Sequence, residues 1–237
     1  MNSILEFIER NTPIDFARYI DNTLLKPNAD YKTIEKYIED TRRYNFKTLV
    51  LPPSLVPLAR EISGNTIELA TVIGFPLGST LTSVKVNEVL HVAEYRVSEI
   101  DMVMNINYFK INRYDDVLRD IIDVTSVAKK YGISVVKVII ETPLLSDEEK
   151  IKATEIVVKA GADYVKTCTG FLGGGVTIHD VLVLKKASRN RVKIKASGGI
   201  RHAVDSILLI QAGASRIGTS SGVEIIEEYI KLREESI

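Results

Sequence analysis

The segment "VVKVIIE", Val135–Glu141, is apolar enough for a buried strand, yet it carries a lysine and ends on a glutamate. Side chains alternate along a strand, so Val136, Val138 and Ile140 share one face, and Val135, Lys137, Ile139 and Glu141 share the other. "EIDMVMN" (Glu99–Asn105) repeats the pattern, with Ile100, Met102 and Met104 opposite Asp101, Val103 and Asn105. In "VKIKASGG" Ile194 opposes Lys193 and Lys195, and in "ADYVKTCTGF" Val165 opposes Tyr164 and Lys166. One face is uniformly apolar and fits a helix layer. The other carries Asp101, Lys137, Glu141, Lys166 and Lys195. A one-residue slip in register would send those charges into the helix layer and expel Ile100, Met102, Val136, Val138 and Ile140 from it.

Working outward, further strands are expected at Ala17–Asp21, Thr48–Leu51, Leu69–Ile73 and Arg216–Gly218, beside Glu99–Met104, Val135–Ile140, Tyr164–Lys166 and Lys193–Ala196. Helical patterns lie between them. Val117, Leu118, Ile121, Ile122, Thr125 and Ala128 follow a one-sided helical spacing. Ser146-Asp-Glu-Glu149 reads as a capping box, and Gly132 and Gly161 sit where helices should end. "AGADYVKTCTG" and "AGASRIGTSSG" echo each other as helix end, turn, strand and strand-end loop. Eight strand–helix units in 237 residues predict an α/β fold, a (β/α)₈ TIM barrel. An open dinucleotide-binding sheet would need a glycine fingerprint after its first strand, and "NTLLKPNAD" has no glycine. One domain is expected over residues 1–237, with a short helical extension at about residues 1–14.

Formal net charge is zero, which gives no global field for nucleic acid or an acidic membrane. No apolar run approaches the ~20 residues of a membrane helix, and the first residues lack the pattern of a secretory signal. The single cysteine, Cys168, excludes an internal disulfide and fits a reducing cytoplasm. A homo-oligomer is expected. His91, His179 and His202 are dispersed, without metal-ligand spacing, so neither a metal nor another cofactor is expected.

Charges inside a barrel are costly unless they are paired or put to use. They could be an ion-pair network for stability, but such networks are often no more stabilising than apolar packing. Near the C-terminal strand ends they mark an active site. Two lysines and a carboxylate suit amine chemistry. An ordinary lysine is neutral in only about one in a few thousand molecules at pH 7, and a neighbouring cation with partial desolvation lowers its pKa. The product is a nucleophile able to form a Schiff base, with the carboxylate handling protons.

Seven segments in order, "IDNTLLKP", "ATVIGFPLG", "EIDMVMNI", "VKVIIET", "GADYVKTCTGF", "IKASGGIR" and "RIGTSSG", resemble the 2-deoxyribose-5-phosphate aldolase family from about residue 14 to 228. The resemblance implies a class I, metal-free lyase on a (β/α)₈ barrel. It would cleave the sugar phosphate 2-deoxy-D-ribose 5-phosphate reversibly to acetaldehyde and D-glyceraldehyde 3-phosphate in deoxyribonucleoside catabolism. It implies that Lys166 forms the Schiff base, Lys195 is the neighbouring cation and Asp101 the acid/base partner. Asp21, Thr23, Lys137 and Thr169 are expected to contact the substrate. Gly170, Gly198, Gly199, Gly218, Ser220 and Ser221 are expected to hold its phosphate, because backbone N–H groups and a helix N-terminus after strands 7 and 8 commonly do so. The chain departs from the family pattern at Asn22, often His; Val50, often Cys; Cys168, often Ser; and in ending "KLREESI" without the tyrosine of some members. The alternatives are a Schiff-base barrel aldolase for a different sugar phosphate, and a catalytically dead barrel that binds one.

Overall fold

The computed structural model describes residues 4–236. Eight parallel strands close into a barrel in sequence order: β1 Ile20–Thr23, β2 Thr48–Leu51, β3 Leu69–Ile73, β4 Glu99–Val103, β5 Val135–Ile139, β6 Tyr164–Lys166, β7 Lys193–Ser197 and β8 Arg216–Thr219. Before β1 come α1 (Ile4–Arg10) and α2 (Pro13–Ala17). The outer layer contains α3 (Tyr31–Arg43), α4 (Val56–Ser63), α5 (Thr82–Ala93), α6 (Ile106–Lys110), α7 (Tyr114–Lys130), α8 (Asp147–Lys159), α9 (Ile178–Ser188), α10 (Ala203–Ala212) and α11 (Gly222–Ser236).

The expected alternation holds. Ile100, Met102, Val136, Val138, Val165 and Ile194 are buried in one apolar cluster with helix residues such as Val117, Ile121 and Val124 of α7. Ser146 and Glu149 form the predicted capping box of α8, each accepting from the other's backbone N–H. Gly132 and Gly161 take positive φ just past α7 and α8, which ends those helices without a Cβ clash.

The first strand is a correction. Ala17–Asp21 is not one element: Pro13–Ala17 is helical, started by a Thr12–Asp15 capping box with Pro13 at its first position, and β1 begins at Ile20. The helical extension therefore runs to Ala17. Strands β4 and β5 stop one residue before their expected ends, while β7 and β8 run one residue further. Glu141 consequently lies beyond β5 rather than on its inner face. It sits in the left-handed region (φ 59°) at the start of a one-turn 3₁₀ segment, Thr142–Leu144.

The barrel interior has two unlike sides. Toward β2 and β3 it is filled by Val50, Ala70 and Val72, the branched packing usual in such barrels. Toward β4–β8 and β1 it is filled by charge.

Candidate active site

Arg216, at the start of β8, contacts Asp21 Oδ1 at 2.6 Å and Glu99 at 3.2 Å. Lys137 bridges Glu99 and Asp101, 2.7 Å from each. Lys195 bridges Asp21 (2.6 Å) and Asp101 (2.7 Å). Among the described residues Lys166 pairs with Asp101 Oδ2 alone, at 2.7 Å. Strand registry makes the ladder: Asp101 pairs with Lys137, Lys166 with Lys195, and Lys195 with Arg216. Gly218 completes it, because a Cβ there would lie 2.9 Å from Lys195 Cε. Its missing side chain makes room for the Lys195 side chain across β8.

The fields are one-sided. Burial alone would raise the Asp101 pKa, but the Lys137, Lys166 and Lys195 ammoniums hold it well below the carboxylate range. Asp21 is likewise lowered against its burial, by Lys195, Arg216 and Lys137. Lys137 and Arg216 are buried too, yet the surrounding carboxylates keep both firmly charged. Lys166 is the exception. Burial and the Lys195 charge outweigh Asp101 and bring it down to about 8. At pH 7 about one Lys166 in ten is then neutral, against roughly one in a few thousand for a free lysine.

At the C-terminal end of the barrel a cavity of about 280 Å³ opens to solvent. Lys166 lines it, whereas Lys195 and Asp101 lie beneath it, fully buried. Of the other expected site residues, Thr23, Thr169, Gly170, Gly198, Gly199, Gly218 and Ser220 line the cavity. Ser221 stands beside it, its N–H donated to Thr219 Oγ1 at 2.9 Å. Asp21 and Lys137 are shut inside the ladder, with no exposed surface and no place on the cavity wall. Sequence reasoning omitted Arg201 and Lys26, two cations on that wall, and Glu99 and Arg216, which complete the ladder. The period-two rule would have found Glu99, two residues before Asp101, and Arg216, two before Gly218.

The loops around the cavity are held from behind. Glu141 Oε2 accepts the Thr169 N–H at 3.0 Å, and burial raises its carboxyl pKa against that hydrogen bond. Cys168 donates its thiol to Ser197 O at 2.7 Å, with burial pushing its pKa up to about 11. Gly198 has φ 103°, and an added Cβ would collide with Cys168 Sγ. Asn22 donates to Thr41 Oγ1 of α3 at 3.2 Å, and Val50 sits in the apolar half of the interior. The histidines are scattered over α5, α9 and the start of α10, and no group of three His, Cys, Asp or Glu among the described residues could hold a metal. No described helix is long and apolar enough to cross a membrane.

Comparison with known proteins bears on the same barrel. The profile of the DeoC/LacD family aldolases matches residues 14–228. The deoxyribose-phosphate aldolase of Carboxydothermus hydrogenoformans is 50% identical over 216 residues, which are 90% of this chain and 95% of that one. That of Staphylococcus carnosus is 46% identical over 215 residues, 90% and 96% of the two chains. The solved tetrameric deoxyribose phosphate aldolase from Aeropyrum pernix superposes with a TM-score of 0.86 at 35% identity, over 97% of each chain. The match spans every strand of the barrel and all the ladder residues, and the chain belongs to the DeoC/LacD aldolase family.

Proposed function

We infer that this chain is a deoxyribose-phosphate aldolase, an aldehyde-lyase that works through a Schiff base on Lys166. The relatives' activity supports the reaction. The observation that carries the residue assignment is that Lys166 alone among the ladder lysines lines the cavity, and burial there lowers its pKa. The neutral amine adds to the C1 aldehyde of the open-chain sugar, and loss of water gives an iminium. The C3 hydroxyl gives up its proton, and the C2–C3 bond breaks. Glyceraldehyde 3-phosphate leaves, and the bonding electrons pass to the iminium to form an enamine. Protonation at C2 and hydrolysis then release acetaldehyde and regenerate the amine.

Asp101 is ionised and fits the role of proton acceptor, acting through Lys166 or through a water in the cavity. Lys195 supplies the second positive charge. Asp21 and Lys137, closed off from the cavity, act on the substrate only through the ladder's field. Thr23 and Thr169 remain the candidates for the sugar hydroxyls. The phosphate belongs at Gly198, Gly199, Gly218 and Ser220, with Gly170 opposite, Ser221 at the start of α11, and Arg201 and Lys26 adding charge. We read the chain as one catalytic domain with an N-terminal helical extension, working in the cytoplasm as a homo-oligomer like its Aeropyrum pernix relative. Borohydride reduction in the presence of acetaldehyde tests the central point. An ethyl group on the Lys166 peptide is expected, and an adduct confined to Lys195 would reverse the assignment.

A further inference from the structure

The ladder's composition is uneven. Its carboxylates are Asp21, Glu99 and Asp101, and its cations are Lys137, Lys166, Lys195 and Arg216. One positive charge is in excess. Net charge in a desolvated interior is expensive, and a lysine relieves it by losing its proton. The partner distribution selects which lysine. Lys137 reaches three carboxylates, counting Asp21 at 3.9 Å; Lys195 and Arg216 reach two each, and Lys166 one. The excess therefore falls on Lys166, the member that opens onto the cavity.

Glu99 and Arg216 stand at the far end of this array, at the N-terminal mouth of the barrel, where both border a separate surface recess. Neither touches the cavity nor Lys166. We propose that Glu99 and Arg216 are positioning residues that set the reactivity of Lys166 through the ladder, from the opposite mouth of the barrel. The proposal rests on Lys166 being the nucleophile.

The coupling runs through shared partners. Removing the Glu99 charge leaves Lys137 leaning on Asp101, so Asp101 offers less to a protonated Lys166. Removing the Arg216 charge frees Asp21 and Glu99 to engage Lys195 and Lys137, which loosens their hold on Asp101 and favours the Lys166 proton. The two changes should act with opposite sign, whereas general loosening of the fold would act with one. The charged and titratable groups facing Lys166 are Asp101 from β4, Lys137 from β5 and Lys195 from β7. Beyond the strand ends stand Glu141 and Cys168. Tyr164 of β6 stacks under Arg216, 5.6 Å from its guanidinium. Cys168 stays a neutral thiol near neutral pH, and Glu141 makes no ion pair with the ladder among the described residues, so both are constant across the variants.

The test is the pH dependence of acetaldehyde trapping by cyanoborohydride, read by mass spectrometry on the Lys166 peptide from about pH 6 to about pH 10. Glu99→Gln should move the midpoint down, and Arg216→Gln should move it up, each by about half a unit or more. The double variant should return near wild type. Arg216→Lys, which keeps the charge, should leave the midpoint in place, and a midpoint that moves with it overturns the charge argument; if Arg216→Gln does not fold, the Glu99→Gln shift carries the test. A Glu99→Gln midpoint equal to that of wild type, or single variants shifting in the same direction, overturns the proposal. A wild-type adduct on another lysine overturns the nucleophile assignment instead, so the two failures are distinguishable.

Discussion

Two buried lysines make opposite use of similar surroundings. Lys85 lies between α5 and α7 with no exposed surface; Lys166 lies inside the barrel, 3% exposed. Each contacts a buried aspartate, Asp120 at 2.6 Å and Asp101 at 2.7 Å. Burial lowers both pKa values. Lys85 also donates to the carbonyl of Val103 at 2.9 Å, and Thr82 holds the other oxygen of Asp120 at 2.8 Å. That pair is closed: two hydrogen bonds tie α5 to α7, a third ties α5 to the end of β4, and among the described residues no second cation contests the charge. Lys166 shares its carboxylate with Lys137 and Lys195 and opens onto a cavity. Burial and a depressed pKa are common to both lysines. A competing cation and access to the cavity distinguish Lys166, the proposed nucleophile, from the tether.

The largest effect that could break this contrast is on activity. Lys166→Met should lower kcat/KM for 2-deoxyribose 5-phosphate by ~10⁴-fold or more, because it removes the proposed covalent pathway itself. Denaturant unfolding should show little loss of stability, since Asp101 keeps two cations. Lys85→Met should do the reverse. Leaving Asp120 buried without its cation should cost about 3–5 kcal/mol of unfolding free energy, while kcat per trapped active site stays within a few-fold of wild type. If Lys85→Met instead abolished trapping in folded protein, the division between tether and nucleophile would fall.

The pH profile sharpens the comparison. As the proposed nucleophile Lys166 reacts as the neutral amine, so kcat/KM should rise with pH and level off above about 8. Lys195→Met removes the competing ammonium and leaves Asp21 and Asp101 with one cation fewer. Both changes favour protonated Lys166, so the rising limb should move up by about one pH unit, a roughly tenfold loss near pH 7. An unshifted profile would remove Lys195 from that role.

The smallest effect lies at the solvent end of the cavity, which Lys85 has no counterpart to. Ser220→Glu should lower kcat/KM for the phosphorylated sugar about fivefold to tenfold relative to unphosphorylated 2-deoxyribose, through screened repulsion of roughly 1 kcal/mol. Equal losses on both sugars would move the phosphate elsewhere.

Strand alternation made the barrel and four of the interior charges legible, because a period of two is local and the helix-facing residues were uniformly apolar. It failed at Ala17–Asp21, where the Thr12 and Asp15 hydrogen bonds start a helix across what reads as strand. It misplaced Glu141, because a strand's last residue depends on the turn that follows, here one with positive φ. The motifs reached most of the cavity wall. They could not reveal that Asp21 and Lys137 are sealed beneath it, since depth along a barrel axis is set by the stagger of neighbouring strands. Lys26 and Arg201 lie within the motifs "IDNTLLKP" and "IKASGGIR" but do not stand out there, because exposed loop cations are common and only the closed barrel brings these two to one opening.

The ladder also sorts by position in the chain. Its carboxylates, Asp21, Glu99 and Asp101, all come from β1–β4, and its cations, Lys137, Lys166, Lys195 and Arg216, all come from β5–β8. Each half of the chain thus brings a face of one sign, self-repelling alone and neutralised only by the other half. A half-barrel paired with its own copy would bury like charges, whereas joining unlike halves along β4–β5 and β8–β1 satisfies them. The charges proposed to make an amine reactive therefore also favour closure of one half on the other over closure on a copy of itself.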